Sequence, residues 1–191
     1  MKRIAVDNLV RGLQAISAED FTCENVHGFL RENPVEVDSI KKYFYWSSKF
    51  YTRNLIFKDD RFELMAVCWE RGQVSRIHNH AGQQCWMTVP VGRLQGQNFA
   101  IDQIDEATGY CKLTETETFD ISDDHPAMVE LEEPVHQVLN LNGYDQRAVS
   151  LHIYSKPFDH CLSYCRDTDT FKEVKLYYTS IDSKLCDGVR L

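Results

Sequence analysis

The first fifty residues place apolar side chains at a helical period. The first set of apolar positions, spaced by three or four residues, falls on one face of a helix and consists of Val6, Leu9, Val10, Leu13 and Ile16. Ser17, followed by acidic residues at 19 and 20, predicts the N-cap of a second helix that runs through Leu30. A third helix is predicted over residues 37–50. We expect these helices to cover the outside of a sheet.

After residue 51 the pattern changes to short runs of β-branched and aromatic residues separated by turn residues. The predicted strands are 54–57, 62–69, 75–80, 85–91, 94–101, 128–131, 136–141, 148–155 and 173–179. Many short strands at near-regular spacing indicate a small antiparallel β-barrel or sandwich. The acidic stretch 102–124 is predicted to be a surface hairpin or excursion. The predicted fold is therefore mainly β, with N-terminal α-helices packed outside.

Length and charge narrow the class of protein. The 191 residues suit one domain, which we divide into a helical part at 1–50, a barrel at 51–180 and a tail at 181–191. A net charge of −8 argues against a nucleic-acid partner, which needs a basic face. Asp7 interrupts any secretory apolar segment, and no apolar run reaches the ~20 residues of a membrane span. We expect a cytoplasmic monomer that binds no membrane.

The seven cysteines do not form a recognisable framework. Their number is odd and no C-x-x-C spacing occurs, so neither a set of disulfides nor a four-cysteine zinc site is indicated. We expect reduced thiols.

The stretch GQVSRIHNHAGQQCWMTVPVG, from Gly72 to Gly92, carries the first candidate chemistry. His78 and His80 lie two residues apart in a predicted strand, so both side chains project to the same side of the sheet. Two imidazoles on one face are half of a metal site, although a solvated or hydrogen-bonded pair is an equally ordinary interpretation. The glycines at both ends suit the tight bends of a small barrel.

The spacing of this stretch resembles the first signature of the cupin superfamily, with Cys85 where many cupins carry a glutamate. His136, four residues before Asn140, resembles the core of the second cupin signature. The glycine that usually precedes this histidine is missing, and Pro134 could supply the bend instead. A closed barrel brings distant strands together, so His136 becomes the third candidate ligand. Three neutral imidazoles suit Fe(II), Zn, Cu or Ni, and ligand type alone does not choose among these metals.

Further motifs resemble cysteine dioxygenase, the thiol dioxygenase branch of the cupins. They are YTRN at 51–54, IHNH followed by Cys85, and SLHIYS with PFD within 150–159, and the likeness spans roughly residues 44–161. The resemblance implies ferrous iron held by His78, His80 and His136. It also implies that L-cysteine and O2 are the substrates and cysteine sulfinic acid the product.

The resemblance also implies roles for six further residues. Arg53 pairs with the substrate carboxylate and Tyr51 lies near the substrate, while the Tyr154 hydroxyl faces it. Ser150 and His152 form a hydrogen-bonded relay that orients this hydroxyl, and Cys85 becomes thioether-linked to Tyr154. Taken alone, Arg53 would be an ordinary solvated arginine and Tyr154 an ordinary barrel tyrosine.

Two alternatives remain beside this hypothesis. One is a dioxygenase of another small thiol carboxylate, such as 3-mercaptopropionate, and the other is a non-catalytic metal-binding cupin. One motif departs from the family, because Ser155-Lys156-Pro157 stands where Ser-Pro-Pro is frequent. A cis peptide bond before a lysine costs ~2.5–4 kcal/mol, so that loop is expected either to be trans or to be held under strain.

Overall fold

The computed structural model describes residues 2–129 and 135–191. Its helices are α1 (Val6–Ala15), α2 (Cys23–Glu32) and α3 (Val37–Ile40), the last continued by a 3-10 turn at Lys41–Tyr43. The strands are β1 (Thr52–Lys58), β2 (Glu63–Trp69), β3 (Ile77–His78), β4 (Cys85–Val91), β5 (Leu94–Asp105), β6 (Tyr110–Ile121), β7 (Ala127–Val129), β8 (Val135–Leu139), β9 (Ala148–Tyr154), β10 (His160–Cys165), β11 (Thr170–Lys175), β12 (Ser180–Ile181) and β13 (Lys184–Leu185). The prediction of a mainly β protein with short N-terminal helices is confirmed.

The strands form two sheets that enclose the candidate site. One sheet runs in the order β13-β12-β1-β2-β9-β4-β7, and the strands β10-β11-β6-β5-β8-β3 form a closed barrel arrangement. Pairing is antiparallel except between β12 and β1, where Asn54 lies beside Ser180. Strand β3 bridges β8 and β10, which sets His78 directly opposite His136.

Strand β2 is buried along its whole length because it separates two apolar cores. Leu64, Ala66 and Cys68 pack beneath the helices. Met65, Val67 and Trp69 point the other way, into the space between the sheets. This explains why the strand reads as a nearly continuous apolar run rather than as an alternating one.

The helix predictions were right in kind but wrong at several boundaries. α2 begins at Cys23 with Thr22 as its N-cap, whereas Ser17 bonds to Asp20 in a separate turn. Phe21 lies between that turn and the helix, where its ring contacts two core aromatic residues, Phe62 and Trp86. The third helix stops at residue 43 instead of 50, since the chain extends there toward β1.

The strand predictions missed β10, β12 and β13, shifted β11 and made β3 too long, since it covers Ile77–His78 rather than 75–80. β10, with the sequence HCLSYC, has no β-branched residue and therefore gives a weak strand signal. β11 covers Thr170–Lys175 rather than 173–179. Residues 102–124 belong largely to the long β5–β6 hairpin, one of the two forms expected for that stretch.

Three further expectations can be compared with the described residues. Part of the expected tail forms strands β12 and β13 at the edge of the first sheet. No peptide bond in residues 2–129 and 135–191 is cis, so the bond between Ser155 and Lys156 is trans. Pro134 and the end of the predicted strand 128–131 lie outside the described residues. In the part of the chain that is described, no helix has the length and apolar character needed to cross a membrane.

Candidate metal centre

Three histidines converge between the two sheets. The ring centroids of His78 and His136 are 4.8 Å apart, and those of His80 and His136 are 4.7 Å apart. One ligand nitrogen from each of the three side chains lies within 4.8 Å of the other two. His78 and His136 meet because they are cross-strand partners, whereas His80 lies just beyond the end of β3. The backbone turns after it through the left-handed conformations of Ala81 and Gly82.

The nitrogen atoms of these histidines fit a metal ion. The Nδ1 of His78 lies 2.8 Å from the carbonyl of Arg76, which accepts a hydrogen bond and leaves the Nε2 lone pair available. Both ring nitrogens of His80 are buried and lack a hydrogen-bond partner among the described residues. A buried polar atom without a partner is costly, and a bound metal would satisfy one of the His80 nitrogens.

The protonation of the histidines also favours metal binding. Burial lowers the pKa of His78 to about 4. Burial, together with the neighbouring histidines, holds the pKa values of His80 and His136 well below the usual range. All three rings are therefore neutral near pH 7, and neutral imidazole is the form that binds metals.

Strand β9 carries a hydrogen-bonded chain beside the histidines. The Oγ of Ser150 lies 2.8 Å from Nε2 of His152, whose Nδ1 lies 3.3 Å from the Tyr154 hydroxyl. The indole N–H of Trp69 donates to the same Ser150 Oγ at 2.9 Å. The Ser150 hydroxyl hydrogen can then be donated to Nε2 of His152, and in that arrangement Nδ1 carries the ring hydrogen and donates it to Tyr154.

His152 is a neutral member of this chain. Burial, followed by the charges of Arg53 and His78, lowers its pKa to about 3. A neutral imidazole offers one donor and one acceptor, which matches the assignment above. When the Tyr154 oxygen accepts from His152, its own hydrogen can be donated either into the cavity or to the sulfur of the neighbouring Cys85.

Cys85 and Tyr154 are direct neighbours on adjacent strands. They form a register pair between β4 and β9, so their Cβ atoms are roughly 4.5–5.5 Å apart. Burial raises the pKa of the Cys85 thiol, and the Tyr154 side chain opposes this shift by hydrogen bonding. Burial also raises the pKa of Tyr154. Both groups are therefore protonated near neutral pH and close enough to be joined by oxidation.

Arg53 and Tyr51 line a cavity of about 70 Å³ that also exposes His78, His80 and Tyr154. The Tyr51 ring stacks on Trp69 with centroids 4.5 Å apart. No carboxylate of the described residues forms an ion pair with the Arg53 guanidinium. The cavity thus suits a small ligand with an acidic group, and it holds two of the three converging histidines together with a cation that has no ion pair among the described residues.

The structure brings together every site residue that the sequence predicted. It adds cavity residues that sequence reasoning did not select, namely Trp69, Arg76, Phe158 and Cys161. Trp69 alone had a usable signal, because it follows Met65 and Val67 at the strand period of two and so lies on the inner face. Its bond to Ser150 depends on the pairing of β2 with β9, which no local pattern reveals.

Comparisons of the sequence and of the structure with known proteins find relatives of this chain. The family model for cysteine dioxygenase type I matches residues 3–167. Cysteine dioxygenase type 1 of Danio rerio is 26% identical over 187 residues, covering 94% of this chain and 89% of that protein. The Bos taurus protein of the same name is 28% identical over 185 residues, covering 94% and 88%. A cupin superfamily protein of Desulfitobacterium hafniense is similar in structure, with a TM-score of 0.44 and 13% identity over 66% of this chain and 93% of its own.

Proposed function

The chain belongs to the cysteine dioxygenase type I family, and from that premise we propose that it oxidises L-cysteine with O2 to cysteine sulfinic acid at a ferrous iron centre. The observation that carries the proposal is the convergence of three neutral histidine side chains, two of which line the same small cavity as an arginine without an ion pair among the described residues. The metal-binding site and the family support a dioxygenase. The choice of iron, of L-cysteine and of a cytoplasmic location is our proposal.

His78, His80 and His136 would hold the ferrous ion. The bound ion would supply the redox chemistry with O2 and lower the pKa of a bound thiol, so that L-cysteine is used as its thiolate. Three protein ligands would leave coordination positions for small molecules. Val67 and Phe158 would form an apolar part of the wall beside the ion.

Arg53 would bind the substrate carboxylate. A guanidinium can donate two parallel hydrogen bonds to a carboxylate, which sets the orientation as well as the position of the amino acid. The side chain lines the cavity and has no competing ion pair among the described residues. Tyr51 would form the adjoining wall, held in place by its stacking on Trp69.

Tyr154 would donate a hydrogen bond to the reacting groups. In the series of hydrogen bonds from Trp69 through Ser150 to His152, the Tyr154 oxygen is the last acceptor, so the Tyr154 O–H can donate away from His152. Its raised pKa keeps this proton on the phenol near neutral pH. In this role Ser150 and His152 are positioning residues, since they act through Tyr154.

We also propose that the Cys85–Tyr154 pair forms a thioether. The sulfur would bond to a ring carbon of the phenol, with loss of two protons and two electrons to O2. The cross-strand pairing of these two residues supports the proposal. A mass 2 Da below that of the reduced chain, located to the two linked peptides, would test it.

The test of the main activity is oxygen uptake by the iron-loaded protein with L-cysteine, with the product identified by mass spectrometry. We expect one cysteine sulfinate for each O2 consumed. Uptake with 3-mercaptopropionate but not with L-cysteine would favour the other thiol carboxylate. Bound iron without uptake of O2 with either thiol would leave a non-catalytic metal-binding cupin.

Arg53→Gln tests the proposed binding of the substrate carboxylate. The variant should raise the KM for L-cysteine by about tenfold or more, because a charged hydrogen bond contributes about 1.5–3 kcal/mol. Iron content, measured by metal analysis, should stay the same because Arg53 is not a ligand. An unchanged KM would refute the carboxylate role.

A further inference from the structure

A buried acid lies at the rim of this site and has no part in the mechanism above. Glu63 begins β2 and is completely buried. It faces Tyr154 on one side and Lys58 on the other in the strand register. Burial raises the pKa of this carboxyl group, and its Oε1 has no hydrogen-bond partner among the described residues. Burying a carboxyl group costs free energy, so the hydrogen bond that Glu63 does make calls for an explanation.

That contact is with Tyr178. The Tyr178 hydroxyl donates a hydrogen bond to Oε2 of Glu63, and hydrogen bonds to carboxylates are among the stronger ones in proteins. Nζ of Lys58 lies 3.4 Å from the same hydroxyl and 4.0 Å from Oε2. Burial, with the Glu63 hydrogen bond as the second cause, raises the pKa of Tyr178. The phenol is therefore tethered at its hydroxyl end.

The face of the tethered ring lies against Arg53. The guanidinium carbon is 5.8 Å from the centroid of the Tyr178 ring, within the range of a cation–π contact. The two segments are joined beside this contact, because Thr179 donates its N–H to the Arg53 carbonyl and accepts from the Arg53 N–H through Oγ1. The Arg53 side chain has no hydrogen bond or ion pair within the described residues, and the Tyr178 ring is the aromatic face that lies against its guanidinium.

We propose that Glu63 and Tyr178 are positioning residues that hold the Arg53 guanidinium ready for a substrate carboxylate. Glu63 tethers the ring, and the ring supports the guanidinium. The arginine side chain has four rotatable bonds, and holding it in place beforehand reduces the conformational freedom that it loses when its ligand binds. The device selects thiols that carry a carboxylate over thiols that lack one. The inference rests on the proposed role of Arg53 and adds the residues that determine its orientation.

The experiment measures binding to the iron-loaded protein without oxygen, by calorimetry, for L-cysteine and for cysteamine. Cysteamine keeps the thiol and the amine of L-cysteine and lacks its carboxylate. Tyr178→Leu should weaken L-cysteine binding by about three- to tenfold, the range that a cation–π contact supports, and leave cysteamine unchanged. Tyr178→Phe keeps the ring but loses the tether, and it should show a smaller loss in the same direction.

Two controls isolate the contact. Tyr177→Leu changes the neighbouring tyrosine, which is 70% exposed, and should bind both thiols as the unaltered protein does. In an Arg53→Gln background, Tyr178→Leu should cause no further loss of L-cysteine binding, since the group that it supports is gone. If Tyr178→Leu fails to fold, the comparison of Tyr178→Phe with the unaltered protein and with the Arg53→Gln background decides.

The outcomes separate this inference from the proposed function. Equal losses for L-cysteine and cysteamine, or additive losses in the Arg53→Gln background, would overturn the positioning role. The predicted binding pattern without any uptake of O2 would support the positioning role and overturn the dioxygenase proposal.

Discussion

Replacing His152 with glutamine should flatten the dependence of stability on pH. The pKa of His152 is lowered from 6.5 to about 3 in the folded protein, mainly by burial. At mildly acidic pH the His152 ring is therefore protonated in the unfolded chain but not in the folded protein. The contribution of the neutral ring is complete above pH 6.5 and is lost progressively as the pH falls toward 3.

The two pKa values define the size of the effect. Between pH 8 and pH 5 the proton taken up by the unfolded chain lowers the free energy of unfolding by about 2 kcal/mol, with a ceiling of about 5 kcal/mol near pH 3. Glutamine cannot be protonated in this range, so the variant does not have this dependence. It should be less stable at pH 8, by about 1–3 kcal/mol, because the hydrogen bonds of His152 to Ser150 and Tyr154 are weakened.

The assay is urea unfolding of the metal-free protein at pH 8 and pH 5. The free energy of unfolding of the unaltered protein, relative to that of His152→Gln, should fall by about 2 kcal/mol between pH 8 and pH 5. This corresponds to roughly 1 M in the urea midpoint for an m-value of about 2 kcal/mol/M. The other histidines are present in both proteins, so their effects largely cancel. His125→Gln, at an exposed position, is the control and should leave the slope unchanged. The same gap at both pH values would refute the burial of a neutral His152.

Two further predictions concern the metal and the backbone. His136→Ala removes one of the three proposed ligands and should lower iron affinity by more than 10–100-fold, which is the cost of losing only a supporting hydrogen bond. Iron content after dialysis measures this, with His160→Ala at an exposed position as the control, and full retention of iron would contradict the site. Gly92→Ala should lower the melting temperature by at least about 2 °C, since Gly92 has φ of +74° and a Cβ there would lie 2.7 Å from the Arg147 carbonyl oxygen. The control is Gly143→Ala, where a Cβ meets nothing within 4 Å and the melting temperature should hardly change; equal effects of the two substitutions would contradict the clash.

Much of the site could be predicted because its residues lie in short motifs with informative spacing. Ser150, His152 and Tyr154 follow the strand period of two and so share one face of β9. The spacing also selects His78 and His80, although β3 ends at His78 and His80 reaches the site from beyond the strand. These predictions needed no knowledge of which strands are neighbours. The structure adds that His136 completes the set through the pairing of β8 with β3.

The rest could not be predicted because it depends on contacts between distant parts of the chain. Glu63 and Tyr178 are 115 positions apart, and neither lies in a recognisable motif. Glu63 opens an apolar strand, where a lone acid reads as a solvated end residue rather than as a buried one. The third helix, by contrast, was predicted to be too long because residues 44–50 are mostly aromatic residues and serines, which are weak helix formers.

The parallel pairing of β12 with β1 has a consequence for how the protein matures. Asn54 pairs with Ser180, so the outer edge of β1 stays open until synthesis has passed residue 181. Chains fold from the N-terminus as they emerge, and contacts of this sequence separation form late. A ribosome-bound chain that ends before residue 178 would already contain all three histidines but not the support beneath Arg53. The residues of the proposed metal site are therefore synthesised before the residue that is proposed to support Arg53.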